Sequence, residues 1–437
     1  MARLPKTARM PRFPDAQPRR GHRLANRWLL GFGLVASAVA AADFDARLKW
    51  FGAATAFPDH DIQRQLDATP AYDHNLDLRL MWERAWSGLS LQVAHSTTYV
   101  AGDSFAFAGA PGTTLEQAPT DDSRRLMDLT WNIDTGDEHQ LLHRLDRLAL
   151  KYRKGNWGLT LGRQAVSWGS GMVFQPMDLF NPFAPTTVDR DYKAGDDLFL
   201  LERLFSNGSD LQVLLVGRRD ADEDFTGQAG SAAAKWHGFV GEGEIELLFA
   251  RHVADQVYGA TVRWPLGGAL VRSDVVATRL REGDWELSMV LNIDYSLELA
   301  GHTSYLFAEY FHNGFGVHRL PDSVTELPRP LLDRLERGEV FNLMRDYLAV
   351  GGTIEWHPLW NQTLTVIANL SDGSSLVQSQ LTFEPGDHQR LELGAVVPIG
   401  SRGEEFGGVP VIRDPRMGDV LTTGGGLRGY LRWVYYR

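Results

Sequence analysis

The sequence predicts an all-β chain: one antiparallel β-barrel spanning a membrane. Three observations carry this. First, between Trp285 and Leu299 every second residue is large and apolar (Trp285, Leu287, Met289, Leu291, Ile293, Tyr295, Leu297, Leu299). The residues between them are mostly polar or charged (Glu286, Ser288, Val290, Asn292, Asp294, Ser296, Glu298). A period of two over this length describes a strand with one greasy face and one wet face, and aromatic residues in it suit the girdles of a membrane barrel. Second, no stretch reaches about 18 consecutive apolar residues, so helical spans are not expected. Third, the N-terminus reads as an export leader.

That leader occupies residues 1–42. Eight basic residues (Arg3, Lys6, Arg9, Arg12, Arg19, Arg20, Arg23, Arg27) precede an apolar run from Trp28 to Ala40. Ala38-Val39-Ala40-Ala41-Ala42 then offers an A-x-A cleavage site, which is the layout of a secretory signal peptide. Arg19-Arg20 invites a twin-arginine reading, but the residues after it do not fit that pattern. The chain has no cysteine, which removes disulfides and thiol–metal sites from an exported protein. Without the leader, 36 basic and 54 acidic residues remain, a net charge of −18. Nucleic acid is therefore not an expected partner. An acidic rim facing lipopolysaccharide and divalent cations accounts for the balance; a cation preference is the sharper alternative.

Residues 43–437 are expected to form the barrel. Leu76, Leu78, Leu80 and Trp82 begin the alternating segments, followed by Met127, Leu129, Trp131 and Ile133, then Leu148, Leu150 and Tyr152. Leu348, Val350, Ile354 and Trp356 continue them, then Leu364, Val366, Ala368 and Leu370, then Leu391, Leu393, Ala395 and Val397. Lys154-Gly155-Asn156, Ser206-Asn207-Gly208, Glu282-Gly283-Asp284 and Ser371-Asp372-Gly373 supply the positive φ that hairpins need, and are expected as short turns on one side. Because bacterial barrels favour even numbers, the segments give about 18 strands, with about 16 as the alternative.

Long connections fall near 102–123, 169–193, 313–345 and 399–425, and belong outside or folded inward. The 313–345 connection carries Pro321, Pro328 and Pro330, then a short helical segment, Leu331 to Arg337, expected over the mouth. Strand parity counted from the C-terminus becomes inconsistent before about residue 124, so one early element does not fit a simple up-and-down count. The final segment, Leu427 to Arg437, sets Leu431, Trp433 and Tyr435 opposite Arg428 and Arg432. It is similar to the C-terminal signal that barrel-assembly machinery reads, although Arg437 stands where a final Phe is usual.

The densest chemistry lies between 144 and 203. Glycine and proline forbid a continuous strand through 169–185, and Met172, Phe174, Met177, Phe180 and Phe183 are unusual for a solvated loop. Folding back into the barrel would bury them and narrow the lumen; the bland alternative is a loop packed on the rim. The candidate constriction residues are Arg147, Lys151, Arg153, Arg163, Asp178, Asp189, Arg190, Asp191, Lys193 and Arg203. Opposed basic and acidic rows across a lumen are a common basis of ion selection. For each residue singly, the plain reading is structural cross-pairing. Arg163 is anomalous: if Leu159 and Leu161 face lipid, alternation sends Arg163 outward, so a bulge near Gly162 or another register is expected.

Catalysis has little support. The thirteen histidines show no H-E-x-x-H, and there is no G-x-S-x-G. Asp220, Asp222, Glu223 and Asp224 lack EF-hand spacing and read as an acidic external loop. No metal or cofactor is expected.

The segment Arg147 to Asp197, about an eighth of the chain, resembles large proteobacterial outer-membrane barrels, with alginate-export-type channels the nearest named family. The likeness rests on Gly162-Arg163-Gln164, Trp168-Gly169, Asp178, Asn181-Pro182 and the acidic–basic stretch that follows. It implies a single-chain barrel of about eighteen strands with a charged lumen and inward loops. Polysaccharide export does not follow, because a polyuronate path would want a strongly basic lumen and here acids are interleaved. The expected function is an outer-membrane, porin-like channel for small polar or charged solutes, narrowed by 169–193. Its expected partners are outer-membrane lipid, lipopolysaccharide and the barrel-assembly machinery. The alternative is a closed barrel that anchors or sheathes a periplasmic or surface partner, polymer export included.

Overall fold

The computed structural model describes residues 45–65, 69–105, 121–188, 191–220, 222–413 and 420–437. The leader expected at 1–42, most of 102–123 and part of 399–425 lie outside the described residues, as do Asp189 and Arg190. The wall opens with β1 (Asp45–Ala56), β2 (Ala71–Trp86) and β3 (Leu89–Gly102). Next come β4 (Thr130–Thr135), β5 (His139–Lys154), β6 (Trp157–Gln164), β7 (Asp196–Leu204) and β8 (Asp210–Gly217). The far side is β9 (Ser231–Val240), β10 (Gly243–His252), β11 (Asp255–Leu266), β12 (Ala269–Arg279), β13 (Trp285–Leu299) and β14 (His302–His312). The wall ends with β15 (Asp346–His357), β16 (Trp360–Asn369), β17 (Ser375–Gly386), β18 (Gln389–Ile399) and β21 (Leu427–Tyr436). A small hairpin, β19 (Val409–Arg413) and β20 (Val420–Thr423), stands apart in the last loop.

Every neighbouring pair in the wall is antiparallel, and β1 pairs with both β2 and β21, closing the sheet. The main sheet has 19 strands, of which β4 is not a full stave. β5 pairs with β3 along most of its length, while on its other edge Leu148–Lys154 pair with β6 and Gln140–Arg144 pair with β4. β4 thus sits end to end with the short β6, leaving an eighteen-stave barrel. This resolves the early parity conflict: the segment Met127 to Ile133 reads as a stave by periodicity but contributes only a half-height patch.

β13 keeps the expected phase. Trp285, Leu287, Leu291, Ile293 and Tyr295 are exposed, while Ser288, Val290, Asn292 and Asp294 are buried on the inner side. Exposed aromatics collect near both rims: Tyr72, Phe249, Tyr258 and Trp285 at one, and Trp86, Trp157, Phe239, Trp264, Trp356 and Trp360 at the other. Two girdles enclosing an aliphatic band are what a barrel presents to a bilayer. No helix among the described residues is long and apolar enough to cross a membrane.

All the long loops leave from the first rim, at 103–129, 165–195, 313–345 and 400–426. The second rim carries tight turns, such as Gly155-Asn156 and Asn207-Gly208. Two expected turns change sides: 280–284 and 370–374 join β12 to β13 and β16 to β17 at the loop-bearing rim. Local glycine chemistry specifies a tight turn but not which end of the barrel it closes. The 313–345 loop forms α2 (Arg329–Glu336), while α1 (Ile62–Gln65) is a single turn in the first loop. Leu331 of α2 is fully buried, and Arg334 binds Asp255 at 2.6 Å and lies 3.8 Å over the Phe315 ring. The helix is therefore held against the mouth.

Candidate functional site

At the end of β6 the chain leaves the wall. Gly162 marks the departure: its φ is +119°, and a Cβ there would stand 2.1 Å from the Leu148 carbonyl oxygen. Only glycine fits such an approach. The segment 165–195 then runs inside the barrel. Trp168, Met177 and Phe180 pack on lumen-facing Leu198, Leu214, Leu248, Val257 and Val276. Val173 and Phe174 join a second cluster with Val290, Phe311, Leu331 and Tyr347, and Phe174 stacks on Phe311 at 4.5 Å. Burying each such side chain contributes roughly 1.5–3 kcal/mol, which is what draws an apolar loop inward rather than onto the rim.

Polar contacts fix its course. Asp274 Oδ2 accepts from the backbone N–H of Ser170 (2.9 Å) and Gly171 (3.2 Å), while Oδ1 accepts from the hydroxyls of Ser170 (2.8 Å) and Thr261 (2.7 Å). Glu309 accepts the N–H groups of Met172 (2.7 Å), Val173 (2.9 Å) and Phe174 (2.8 Å), and an amide proton of Asn292 (3.1 Å). Further along, Lys193 Nζ donates to both oxygens of Asp178, at 2.6 and 2.5 Å, to Ser167 Oγ at 3.1 Å and to the Val166 carbonyl. Lys193 thereby ties the end of the inward excursion to its start, at Val166 and Ser167, and to its middle, at Asp178. Burial pushes the Asp178 carboxyl up to about 6 despite the lysine, and pushes the Lys193 amine down.

The far end of the segment docks on β1, β2 and β21. Asp191 binds Arg47 at 2.7 Å and also Arg432. Arg47 also pairs with Asp77, and Arg432 with Glu392 at 2.8 Å. The Tyr192 ring covers Arg47 (4.6 Å) and Arg79 (4.0 Å), and Arg79 holds Asp146 at 2.6 Å. Asp146 is the extra residue of a β-bulge where the β3–β5 register shifts. Arg147 donates to the Lys193 carbonyl at 2.6 Å. Lys151 and Arg153 follow on the same face of β5. The segment thus crosses from the β12–β14 side to the β1–β2 side.

Of the sequence candidates, Arg147, Asp178, Asp191 and Lys193 are brought together around this segment, and Lys151 and Arg153 face the lumen below it. Arg163 and Arg203 are not in that group. Arg163 keeps the outward phase, pairing with Asp197 across β6 and β7 without a register shift, so neither the bulge nor the new register expected near Gly162 occurs. Residues 121–129 cover it instead. Its guanidinium binds Asp197 at 2.8 Å, Asp122 at 2.9 Å and the Met127 carbonyl at 2.5 Å, leaving it 1% exposed. Burial raises the Asp122 carboxyl, but Arg163 and the surrounding donors outweigh this and hold it at about 2. Arg203 also faces outward, 4.6 Å from the Trp157 ring at the turn-bearing rim. Asp189 and Arg190 lie outside the described residues.

Sequence reasoning missed Arg47, Arg79, Arg432, Asp274 and Glu309. Each sits at an inward position of an alternating strand, and that phase was the available signal. At the loop-bearing rim a cavity of about 320 Å³ opens among Arg124, Arg218, Arg219 and Arg281, with Asp196 and Asp220. Asp220 is turned on its own loop, accepting the N–H groups of Asp222 and Asp224 at 3.1 Å each. Among the described residues, no group of three or more acidic or histidine side chains could hold a metal ion.

No protein-family model and no curated protein matches this chain. Among solved structures it is similar to OccAB1 of Acinetobacter baumannii, with TM-score 0.50 and 11% identity over 90% of this chain and 96% of that one. It is also similar to OccK5 (OpdH) of Pseudomonas aeruginosa, with TM-score 0.50 and 8% identity over 90% and 98%. A BenF-like porin from Pseudomonas fluorescens Pf-5 aligns with TM-score 0.48 and 10% identity over 90% and 97%. The first two establish the fold. None of these three is an alginate-export-type channel, so the family named from the sequence as the nearest is not supported by them.

Proposed function

We propose that the protein is a channel of the outer membrane that passes small polar or charged solutes, narrowed by the segment 165–195. The observation that carries this reading is a loop strung across the inside of a lipid-facing barrel and fastened to charged groups on opposite walls. Such a loop sets the cross-section without any moving part. The reading is of transport, with no chemical step. The leader at 1–42 would be removed on export, and β21, which closes the wall against β1, is the segment that assembly machinery would engage.

A second reading has one observation in its favour. The two apolar clusters line the interior from β7 round to β18, β21 and β1, as in a closed barrel that anchors a partner. Reconstitution separates the two. In planar bilayers, folded protein is expected to give discrete conductance steps. A silent bilayer with protein that still shows the heat-dependent gel shift of a folded barrel would overturn the channel reading and leave the anchor.

A further inference from the structure

Five consecutive backbone N–H groups, from Ser170 to Phe174, all donate to two carboxylates on the opposite wall. Asp274 on β12 takes the first two and Glu309 on β14 the next three. Both carboxylates are fully buried, and among the described residues neither forms an ion pair with a lysine or arginine. Their charge is met by amide dipoles and neutral side chains. A run of N–H groups turned to one side forms an anion-binding concavity, and hydrogen bonds to an ionised acceptor are roughly twice as strong as neutral ones.

The local sequence is built for this turn. A Cβ at Gly171 would stand 1.8 Å from the Phe174 carbonyl oxygen, and Gly169 has φ +92°. Thr261 and Asn292 donate to the two carboxylates from neighbouring strands. Among the described residues no other pair of side chains binds so long a run of backbone, and apolar packing alone would leave the loop free to slide along the wall.

We propose that Asp274 and Glu309 are positioning residues that set the width of the channel by holding residues 170–174 against the wall, rather than lumen charges that meet the solute. This rests on the channel reading above. It changes what these two carboxylates do: charges that look like one plate of a transverse field are taken up by the loop backbone.

The test uses Glu309→Gln and Asp274→Asn in the full-length protein. The glutamine amide of the first variant would offer one oxygen to three donors and turn its own N–H₂ towards them. Single-channel conductance is expected to rise by about twofold or more, because conductance follows the narrowest cross-section. Liposomes should also swell with sugars that the wild type excludes. A neutralised lumen charge would shift ion selectivity and leave the sugar cut-off in place. Because the chain has no cysteine, a nitroxide on Gln175→Cys reports loop order independently of conduction. The label should be immobile in the wild-type background and mobile with E309Q. Asp274→Asn, which releases only residues 170 and 171, should act in the same direction if E309Q fails to fold. A folded variant with unchanged sugar cut-off and an immobile label overturns the proposal. Mobilisation of the label in a protein that never conducts would uphold the anchoring and overturn the channel reading alone.

Discussion

Lys151 and Arg153 stand on the lumen face of β5 and make no side-chain hydrogen bond or ion pair among the described residues. The other cations of that side are committed: Arg47 and Arg432 to Asp191, Arg79 to Asp146, and Arg147 to the Lys193 carbonyl. Replacing both free residues by glutamine should move the reversal potential towards cations, with a roughly twofold change in permeability ratio for two partly screened charges. Arg147→Gln should loosen the loop instead, so an identical shift from Arg147→Gln and from the pair would count against this division. The basic row on β5 was legible from strand parity. The commitments were not, because Asp191 and Arg432 are 241 residues apart in the chain. Arg163 shows the same limit from the other side. Its outward phase was readable, but the covering segment at 121–129 gave no sign of folding over it, so a buried ion pair looked like a charge in lipid.

At the scale of the element, the inward segment is specified by glycine geometry and apolar content together. Gly171→Ala would drive a methyl group into the Phe174 carbonyl, a backbone atom that cannot swing aside. It is expected to destabilise the turn by about 1–3 kcal/mol, the range of overpacked sites. Gly227→Ala, where a Cβ meets nothing within 4 Å, serves as the control. Thermal unfolding and conductance measured together should show a lower midpoint and a wider channel for the first and no change for the second. Equal behaviour of the two would mean that the turn relaxes freely. Glycine and proline density, with five large apolar residues, announced this excursion in the sequence. The strand β4 misled because an alternating run of apolar residues says nothing of how tall the stave is. Val290 and Phe311 carried a weaker warning: apolar residues at inward positions mark where the lumen is packed rather than wet.

The whole molecule is a closed wall whose interior holds both apolar clusters and buried ion pairs, and its loops are clasped over one rim. That clasp should depend on pH. Glu405, in the loop between β18 and β19, accepts the Leu343 N–H at 2.8 Å, the Tyr347 hydroxyl at 2.6 Å and the Asn369 amide at 2.6 Å. It thereby joins two long loops to the tops of β15 and β16. Burial, with Asp372 nearby, raises its carboxyl from 4.5 to about 7 against these donors. A carboxyl raised in the folded state binds protons that the undocked loop would release, so its contribution is most favourable below pH 4.5. That contribution is lost as pH rises to 7, by an upper bound of about 3 kcal/mol at roughly 1.4 kcal/mol per unit. Hydrogen exchange at residues 400–408 and at Leu343 should therefore be better protected at about pH 5 than at about pH 8. Glu405→Gln keeps an acceptor and cannot ionise, so it should abolish the difference. The Asp178–Lys193 pair also titrates, but it lies in the 165–195 segment and is resolved separately in the same experiment. If protection of 400–408 falls equally with pH in Glu405→Gln, another group governs the clasp. Barrel type and stave number are written in the period of two, repeated often enough that one misread element scarcely moves the count. The clasp is written in contacts between loops remote in sequence, where no period runs, and only the folded chain brings Glu405 to Tyr347.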